Sequence, residues 1–506
     1  MKIYKLFYKT LICVAVAGGF SSCVNSWLDE SPNDSTNASS AISSSADLNT
    51  ARIGMYAILR GNSTLDDYYA ARMIYYGDVR GEDMQAVTGG GGRTTVSYKM
   101  TWTTPTDAPY IWQTPYIVIE RANNIITAAE SGTLSDESTA KTDIAQYEAE
   151  AKVARAMAHF DLVRVYGKPY TMDSTSFGVP VVSSVLEPTV QEGRNTVAEV
   201  YKQVISDLTS AINSGALQTT KDDGYINVWA AKALLTRVYL TKGDNQAALN
   251  VAEDIIAHSP YTLWTNAQYV DAWDKSNSAH TNEALFEFVI TSSSYWTDRE
   301  GIAYLYAESG YNDAVATKSF IDKVKTDDPN DVRLGTILLP KNSTNIKAFT
   351  DTVTKVTYPA YINKYRNDGG DVRYSDVMIL RLSEVYLSAA EAAYKLGDKT
   401  TAAKYLDAIV NRADTAKHAT ASTITLTQIL WERRKELIGE GQRFFDAMRN
   451  NETIVRYTRT ADQGWNAPLK SYAMSYDRTY YKALLPIPQS EIDANAVIAK
   501  QQNTGY

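Results

Sequence analysis

The 506-residue sequence predicts a mainly α-helical protein in which several tetratricopeptide-like helix pairs stand beside an irregular, loop-rich region with short strands. Three observations carry this. Apolar residues recur three and four apart through long stretches of the first half, as a helix burying one face requires. Two segments far apart in the chain share a helix, a Gly-Asp turn and a second helix. Between about Ser259 and Tyr374 the helical period lapses among Pro, Gly, Asn and Asp.

Taken in chain order, MKIYKLFYK carries lysines and is followed by TLICVAVAGGF, an apolar run too short to span a bilayer, which ends in Ser21, Ser22 and Cys23. Residues 1–22 therefore read as a signal peptide. The chain has two cysteines, Cys13 and Cys23, so removal of the signal leaves one thiol and no intramolecular disulfide. The small residues before Cys23 point to a lipoprotein acylated there. An ordinary signal peptide with an incidental cysteine is the alternative, and Phe20 stands where an aliphatic residue is more usual. Residues 23–46 are rich in Ser, Asn and Asp and read as a flexible tether. No later apolar run is long enough for a membrane helix, which leaves the lipid as the anchor.

The globular part is expected from Asp47, with an N-terminal region over 47–275 and a C-terminal region over 276–506. PYIVIERANNIITAAES, AQYEAEAKVARAMAHFDLVRVYG and TVAEVYKQVISDLTSAINSG each have a helical stripe. In WAAKALLTRVYLTKGDNQAALNVAEDIIA and VYLSAAEAAYKLGDKTTAAKYLDAIVNRA, Gly243 and Gly397 suit left-handed caps, the following aspartates suit N-caps, and Ala248 and Ala402 permit close helix packing. These are the features of tetratricopeptide repeats, or of two unrelated helical hairpins. In the irregular region, NEALFEFVI and VTYPAYINKY read as strands.

The formal charge of −8 and pI near 5.3 exclude a general phosphate-backbone binder, so no nucleic-acid partner is expected. Four histidines, His159, His258, His280 and His418, show no paired zinc spacing, and His159 reads as a packed helix residue; no metal and no cofactor is expected. The run Gly89 to Gly92 lacks the ending of a phosphate loop, and no GxSxG elbow occurs. Asp78, Glu82 and Asp83 offer an acid pair on paper, but acidic clusters are usually solvated, and no catalytic residue is assigned. TDDPNDVR lacks the ligand spacing of a calcium loop and reads as a turn.

The compositional excess is in tyrosine, 35 in all, a residue suited to surfaces facing both apolar groups and water. It is concentrated in SSSYWTDREGIAYLYAESGY, where Tyr295, Trp296, Tyr304 and Tyr306 could form a stacking surface with Asp298 and Arg299 as hydrogen-bonding partners. The other reading of each ring is a core residue beneath a loop. Arg366, beside an Asn-Asp-Gly-Gly turn, is a further candidate.

Several stretches together resemble one family, the SusD/RagB nutrient-binding outer-membrane lipoproteins of Bacteroidetes-type bacteria. They are CVNSWLDESP, DDPNDVRLGTILL, RYSDVMILRLSEVYLSAAEAAYKLGD, ERRKELIGEGQRFFDAMRN and YYKALLPIPQSEIDANAVIAKQQNTGY, in that order along the chain. The resemblance implies a SusD-like fold and a non-enzymatic role. The protein would capture a glycan, or alternatively an oligopeptide, at the cell surface and deliver it to a SusC-like TonB-dependent outer-membrane transporter docked on the helical face. It also implies ligand contacts from the N-terminal loops, for which Tyr75, Tyr76, Asp78, Arg80, Asp83 and Trp102 are the candidates. A glycoside hydrolase and a scaffold without a small ligand are the competing classes. Read physically, Glu432 to Asn450 is one amphipathic helix burying Leu437, Ile438, Phe444 and Phe445, with Arg433, Arg434, Glu436 and Arg443 paired across its turns, and PIPQSEI is an extended segment lying on the helices.

Overall fold

A computed structural model describes residues 41–61, 68–87, 92–105, 108–187, 189–221, 224–292, 299–338, 349–350, 357–358, 360–456 and 469–506. The expected signal peptide, the lipid site Cys23 and most of the expected tether lie outside these residues, as do Tyr295, Trp296 and Asp298. Among the described residues no helix is long and apolar enough to cross a membrane.

The main elements are helices α1 (Ser45–Arg60), α2 (Met73–Val79), α3 (Ala108–Glu130), α4 (Lys141–Tyr166), α5 (Val197–Asn213), α6 (Val228–Lys242), α7 (Asn245–His258) and α8 (Ile302–Tyr306). The C-terminal helices are α9 (Leu382–Lys395), α10 (Lys399–Ala413), α11 (Leu426–Leu437) and α12 (Arg443–Arg449). Four short strands matter here: β1 (Met84–Ala86), β2 (Ala284–Phe288), β3 (Ala314–Ala316) and β4 (Val377–Arg381). Local chemistry sets the helix starts. Ser44 accepts from the Asp47 amide at α1, and Thr196 with Glu199 closes a capping box at α5.

Neighbouring helices pack as consecutive pairs, α3 on α4, α4 on α5, α6 on α7 and α9 on α10. The two Gly-Asp turns have the expected form. Gly243 and Gly397 are left-handed, with φ 86° and 88°, and the Asp244 and Asp398 side chains cap α7 and α10. Ala248 and Ala402 are fully buried in their hairpins. Although the sequence separates the two units, α7 lies directly against α9, so the hairpins stack in space and the chain between them loops out. That chain is tied back by two antiparallel ladders, β1 with β3 (Met84 opposite Ala316) and β2 with β4 (Phe288 opposite Val377).

Several local expectations need correction. Residues 432–450 form two helices: α11 ends at Leu437, Gly439 and Gly441 take φ 81° and 78°, and α12 begins at Arg443. Gly441 is also a point of backbone contact, since a Cβ on Gly77 of α2 would stand 1.8 Å from the Gly441 carbonyl oxygen. Arg433, Arg434, Glu436 and Arg443 do not pair with one another across turns; they pair with other elements, while Glu432–Lys435 and Asp446–Arg449 are the pairs that run across a turn. Arg433 reaches Asp446 (2.7 Å) and Glu384 (3.1 Å), while Arg381 and Arg412 both reach Glu283 and Glu436. Among the described residues of VTYPAYINKY, Thr357–Tyr358 is the strand, paired with Phe349–Thr350. TDDPNDVR does turn, with the Asp331 side chain capping the 3-10 segment Val332–Thr336. The terminal segment packs as expected, burying Leu485 and Ile487, but Pro488 then opens a short helix, Gln489–Ala494.

Candidate ligand-binding surface

The aromatic and charged residues expected to meet a ligand separate into two groups. Tyr75, Tyr76, Asp78, Arg80, Asp83 and Trp102 are all in the core, none more than 5% exposed. The reason lies in α2, whose seven residues are all buried, so that each polar group must be satisfied internally. Arg80 has its guanidinium 3.7 Å over the Phe444 ring and 4.9 Å over Trp102, donates to the Lys482 and Ala483 carbonyls (2.7 and 3.0 Å), and also bonds the Tyr76 hydroxyl. Trp102 donates its indole N–H to the Tyr506 hydroxyl at 2.8 Å.

Asp78 accepts from the Gly441 amide (2.9 Å) and the Tyr306 hydroxyl (3.0 Å), and burial pushes its carboxyl up to about 8. Asp83 is clamped by Arg434, and Glu82 by Arg443 (2.7 and 3.0 Å). These residues join the N-terminal helices to the C-terminal segment. As ligand contacts they are replaced by that role, and the carboxylates proposed for an acid pair are occupied. Tyr306 belongs with them, fully buried against Asp78. His159 is structural as expected: its Nδ1–H donates to the Arg155 carbonyl, its Nε2 accepts from Val182, and burial lowers it to about 4.

The second group lies at the surface, where α8 meets the returning chain. The helix buries Ile302, Ala303, Leu305 and Tyr306, which leaves Tyr304 half-buried on its outer side. Tyr304 meets the half-buried Tyr311 edge to face, with ring centroids 5.0 Å apart. Gly310 makes this return possible: a Cβ there would stand 2.0 Å from the Tyr304 carbonyl oxygen, which accepts from the Tyr311 amide at 2.9 Å. Arg93 arrives from a distant loop and lies 4.2 Å over the Tyr311 ring, with Glu300 bound at 2.9 and 2.5 Å. Asp313 fixes that loop by accepting from the Gly92 and Arg93 amides at 3.0 and 2.8 Å.

Exposed Arg299 lies 5.6 Å over the Tyr304 ring, and among the described residues its guanidinium makes no hydrogen bond. The segment Val372–Tyr374 packs beside α8 and adds half-buried Tyr374 and Arg373, the latter paired with Asp371. Arg366 is half-buried and tied to Asp368 and to the Val270 carbonyl (2.9 Å), so it clips the loop rather than facing outward unpaired.

Of the sequence candidates, then, Arg299 and Tyr304 stand on this surface. Arg93, Glu300, Tyr311, Arg373 and Tyr374 complete it. Tyr311 and Glu300 lie within the aromatic stretch itself; Arg93, Arg373 and Tyr374 come from separate segments and carry no local signal. Two clefts among the described residues, about 470 Å³ beside Trp112 and Tyr116 and about 530 Å³ beside Phe177 and Tyr481, do not involve these rings.

A rigid helical scaffold displaying aromatic and arginine side chains on loops defines a binding protein by class. Comparison with known proteins specifies it further. Residues 190–506, more than half of the chain, match the SusD family, and residues 26–240 match a family described as starch-binding associating with outer membrane. The chain belongs to the SusD family. A putative sugar binding protein from Bacteroides vulgatus is 36% identical, with TM-score 0.81 over 92% of this chain and 100% of that one. A SusD superfamily protein from Bacteroides thetaiotaomicron is also 36% identical, with TM-score 0.80 over 91% and 99%. A SusD-like protein of Bacteroides ovatus is 25% identical, the match covering 87% of this chain and 81% of that one.

Proposed function

We propose that this protein is a cell-surface glycan-binding lipoprotein, anchored in the outer membrane through Cys23, that captures an oligo- or polysaccharide and delivers it to a SusC-like TonB-dependent transporter. The observation carrying the ligand class is the Tyr304–Tyr311–Tyr374 surface with Arg93, Arg299 and Arg373 around it. A sugar ring presents a face of C–H bonds that packs on an aromatic ring, while the neighbouring charged groups bond its hydroxyls. At roughly 1 kcal/mol per ring, taking the scale of aromatic pairs, several rings are needed together. An open surface suits a polymer, which cannot enter a closed cavity. The 36% identical relative from Bacteroides vulgatus, a putative sugar binding protein, supports the same reading. Binding without catalysis is supported by the carboxylates of the acidic YYGDVRGED stretch, since Glu82 and Asp83 are held in ion pairs with Arg443 and Arg434.

The test is electrophoresis of residues 24–506 through native gels containing different polysaccharides, with oligopeptide pools titrated in parallel by calorimetry. Retardation by one polysaccharide, weakened in Tyr304→Ala, is the expected result. Peptide heat without retardation would instead make this a peptide-capturing protein, and shortening of an oligosaccharide by the purified protein would overturn the non-enzymatic reading.

A further inference from the structure

Behind that surface, where Lys275 donates to the Tyr374 carbonyl at 2.7 Å, a buried imidazole faces two carboxylates. His280 stands in the short 3-10 turn before β2, Glu287 is on β2, and Asp376 immediately precedes β4, the partner of β2. One donor atom from each lies within 4.8 Å of the other two. His280 Nδ1 is 2.8 Å from the Ala272 carbonyl oxygen, which can only accept, so the Nδ1 proton is fixed and Nε2 is directed to Glu287 Oε2 at 3.0 Å. Asp376 Oδ1 accepts from Lys275 Nζ at 2.5 Å and from the Ile290 amide at 2.8 Å. Its other oxygen makes no hydrogen bond among the described residues.

Charge counting shows what is missing. With a neutral imidazole, Lys275, Glu287 and Asp376 sum to one negative charge in a buried setting, where an uncompensated charge is costly. A proton at Nε2 brings this sum to zero, whereas a divalent ion brings it to one positive charge, which is relieved when Lys275 gives up Asp376. We infer that His280, Glu287 and Asp376 form a binding site for one divalent transition-metal ion of the zinc class.

Three features favour the metal. A backbone carbonyl holding the far ring nitrogen is the outer contact that metal-binding histidines usually have. One nitrogen with two carboxylate oxygens suits zinc and its neighbours, whereas calcium and magnesium take all-oxygen shells. The spacing is also close. Ligands about 2.0–2.1 Å from zinc in a tetrahedron are about 3.4 Å apart, so the His280–Glu287 pair is nearly placed and Asp376 needs a side-chain rotation. Lys275 is the competing cation. The ion would strap β2 to the start of β4, tying the loop-rich region to the helices.

The test uses residues 24–506, stripped with EDTA and titrated with zinc chloride by calorimetry and by thermal melting. One equivalent should bind and raise Tm. Glu287→Gln and Asp376→Asn should each weaken binding at least tenfold, and Lys275→Met should tighten it, which a purely structural lysine would not do. Calcium should bind at none of these concentrations. His258 and His418, the two exposed histidines with aspartate neighbours, provide the control, and the double variant His258→Gln/His418→Gln should bind zinc as before. Absence of zinc binding, or binding lost in that double variant and kept in Glu287→Gln, would overturn the site. Melting in EDTA shows whether each variant folds; if Glu287→Gln does not, Asp376→Asn gives the same reading.

Discussion

Two clusters of this molecule are built from the same residue types and do opposite things. Around α2, Arg80 lies over the rings of Tyr76, Trp102 and Phe444, and its terminal nitrogens donate to two backbone carbonyls. Around α8, Tyr304 and Tyr311 stack with Arg299 and Arg93, yet Tyr304 and Tyr311 are half-exposed and Arg299 has no hydrogen bond among the described residues. Residue type does not separate a structural rivet from a recognition surface. Exposure does: Tyr76, Arg80 and Trp102 are closed off from solvent, whereas Tyr304, Tyr311 and Arg299 are open to it and can meet a ligand.

The sharpest way to break this comparison is to remove one arginine from each cluster. Arg80→Ala leaves two buried carbonyls without their donor and opens a void, so we expect a loss of about 3–5 kcal/mol in urea unfolding. Equal stability of Arg80→Ala and wild type would show that the cluster is not structural. The α2 cluster should also respond to pH through Asp78. The unfolded carboxyl titrates near 3.8 and the folded one near 8, so the folded state holds the proton longer. Its contribution is complete below about 3.8 and is lost as pH rises towards 8. Melting temperatures of Asp78→Asn should therefore fall less between pH 5 and pH 8 than those of wild type; parallel curves would assign the slope elsewhere.

On the α8 side, Tyr304→Ala should weaken glycan binding roughly fivefold, the loss of about 1 kcal/mol, while shifting unfolding by less than about 0.5 kcal/mol. A large loss of stability would move Tyr304 into the structural class. The smallest effect is expected from Arg299→Ala, about twofold in affinity with stability unchanged, because an exposed cation over a ring contributes about 0.5–1 kcal/mol at most. Calorimetry on the two variants side by side ranks ring against charge.

The long helices and their ends were readable from the sequence because they depend on neighbours a few positions apart. Asp244 and Asp398 cap, Gly243 and Gly397 turn, and Ala248 and Ala402 pack, all within one hairpin. The α2 cluster was misread for a related reason. In YYGDVRGED the aromatic and charged residues show no apolar stripe, and the partners that bury them, Gly441, Phe444 and Arg434, lie more than three hundred residues away. Sequence distance also hid Arg93, whose partners Glu300 and Tyr311 lie 207 and 218 residues away. Likewise, Arg433 and Glu436 of α11 were expected to pair along the helix and instead pair with Glu384, Arg381 and Arg412 on other elements, whereas Glu432 and Lys435 do pair along it.

The stacking of α7 on α9 has a consequence for how this architecture tolerates change. Residues 259–381 form a closed loop whose ends are held by helix packing and the β2–β4 ladder. The entropy of closing a flexible loop grows only with the logarithm of its length, about 0.6 kcal/mol per doubling. Once the hairpins pack, lengthening an exposed turn of this segment alters that penalty little. The contact bearing the topology is also of long range in sequence, which places its formation late in folding. Changes are therefore tolerated best at the exposed side chains beside α8, since Tyr306 and β3 in the same segment are buried against the N-terminal elements.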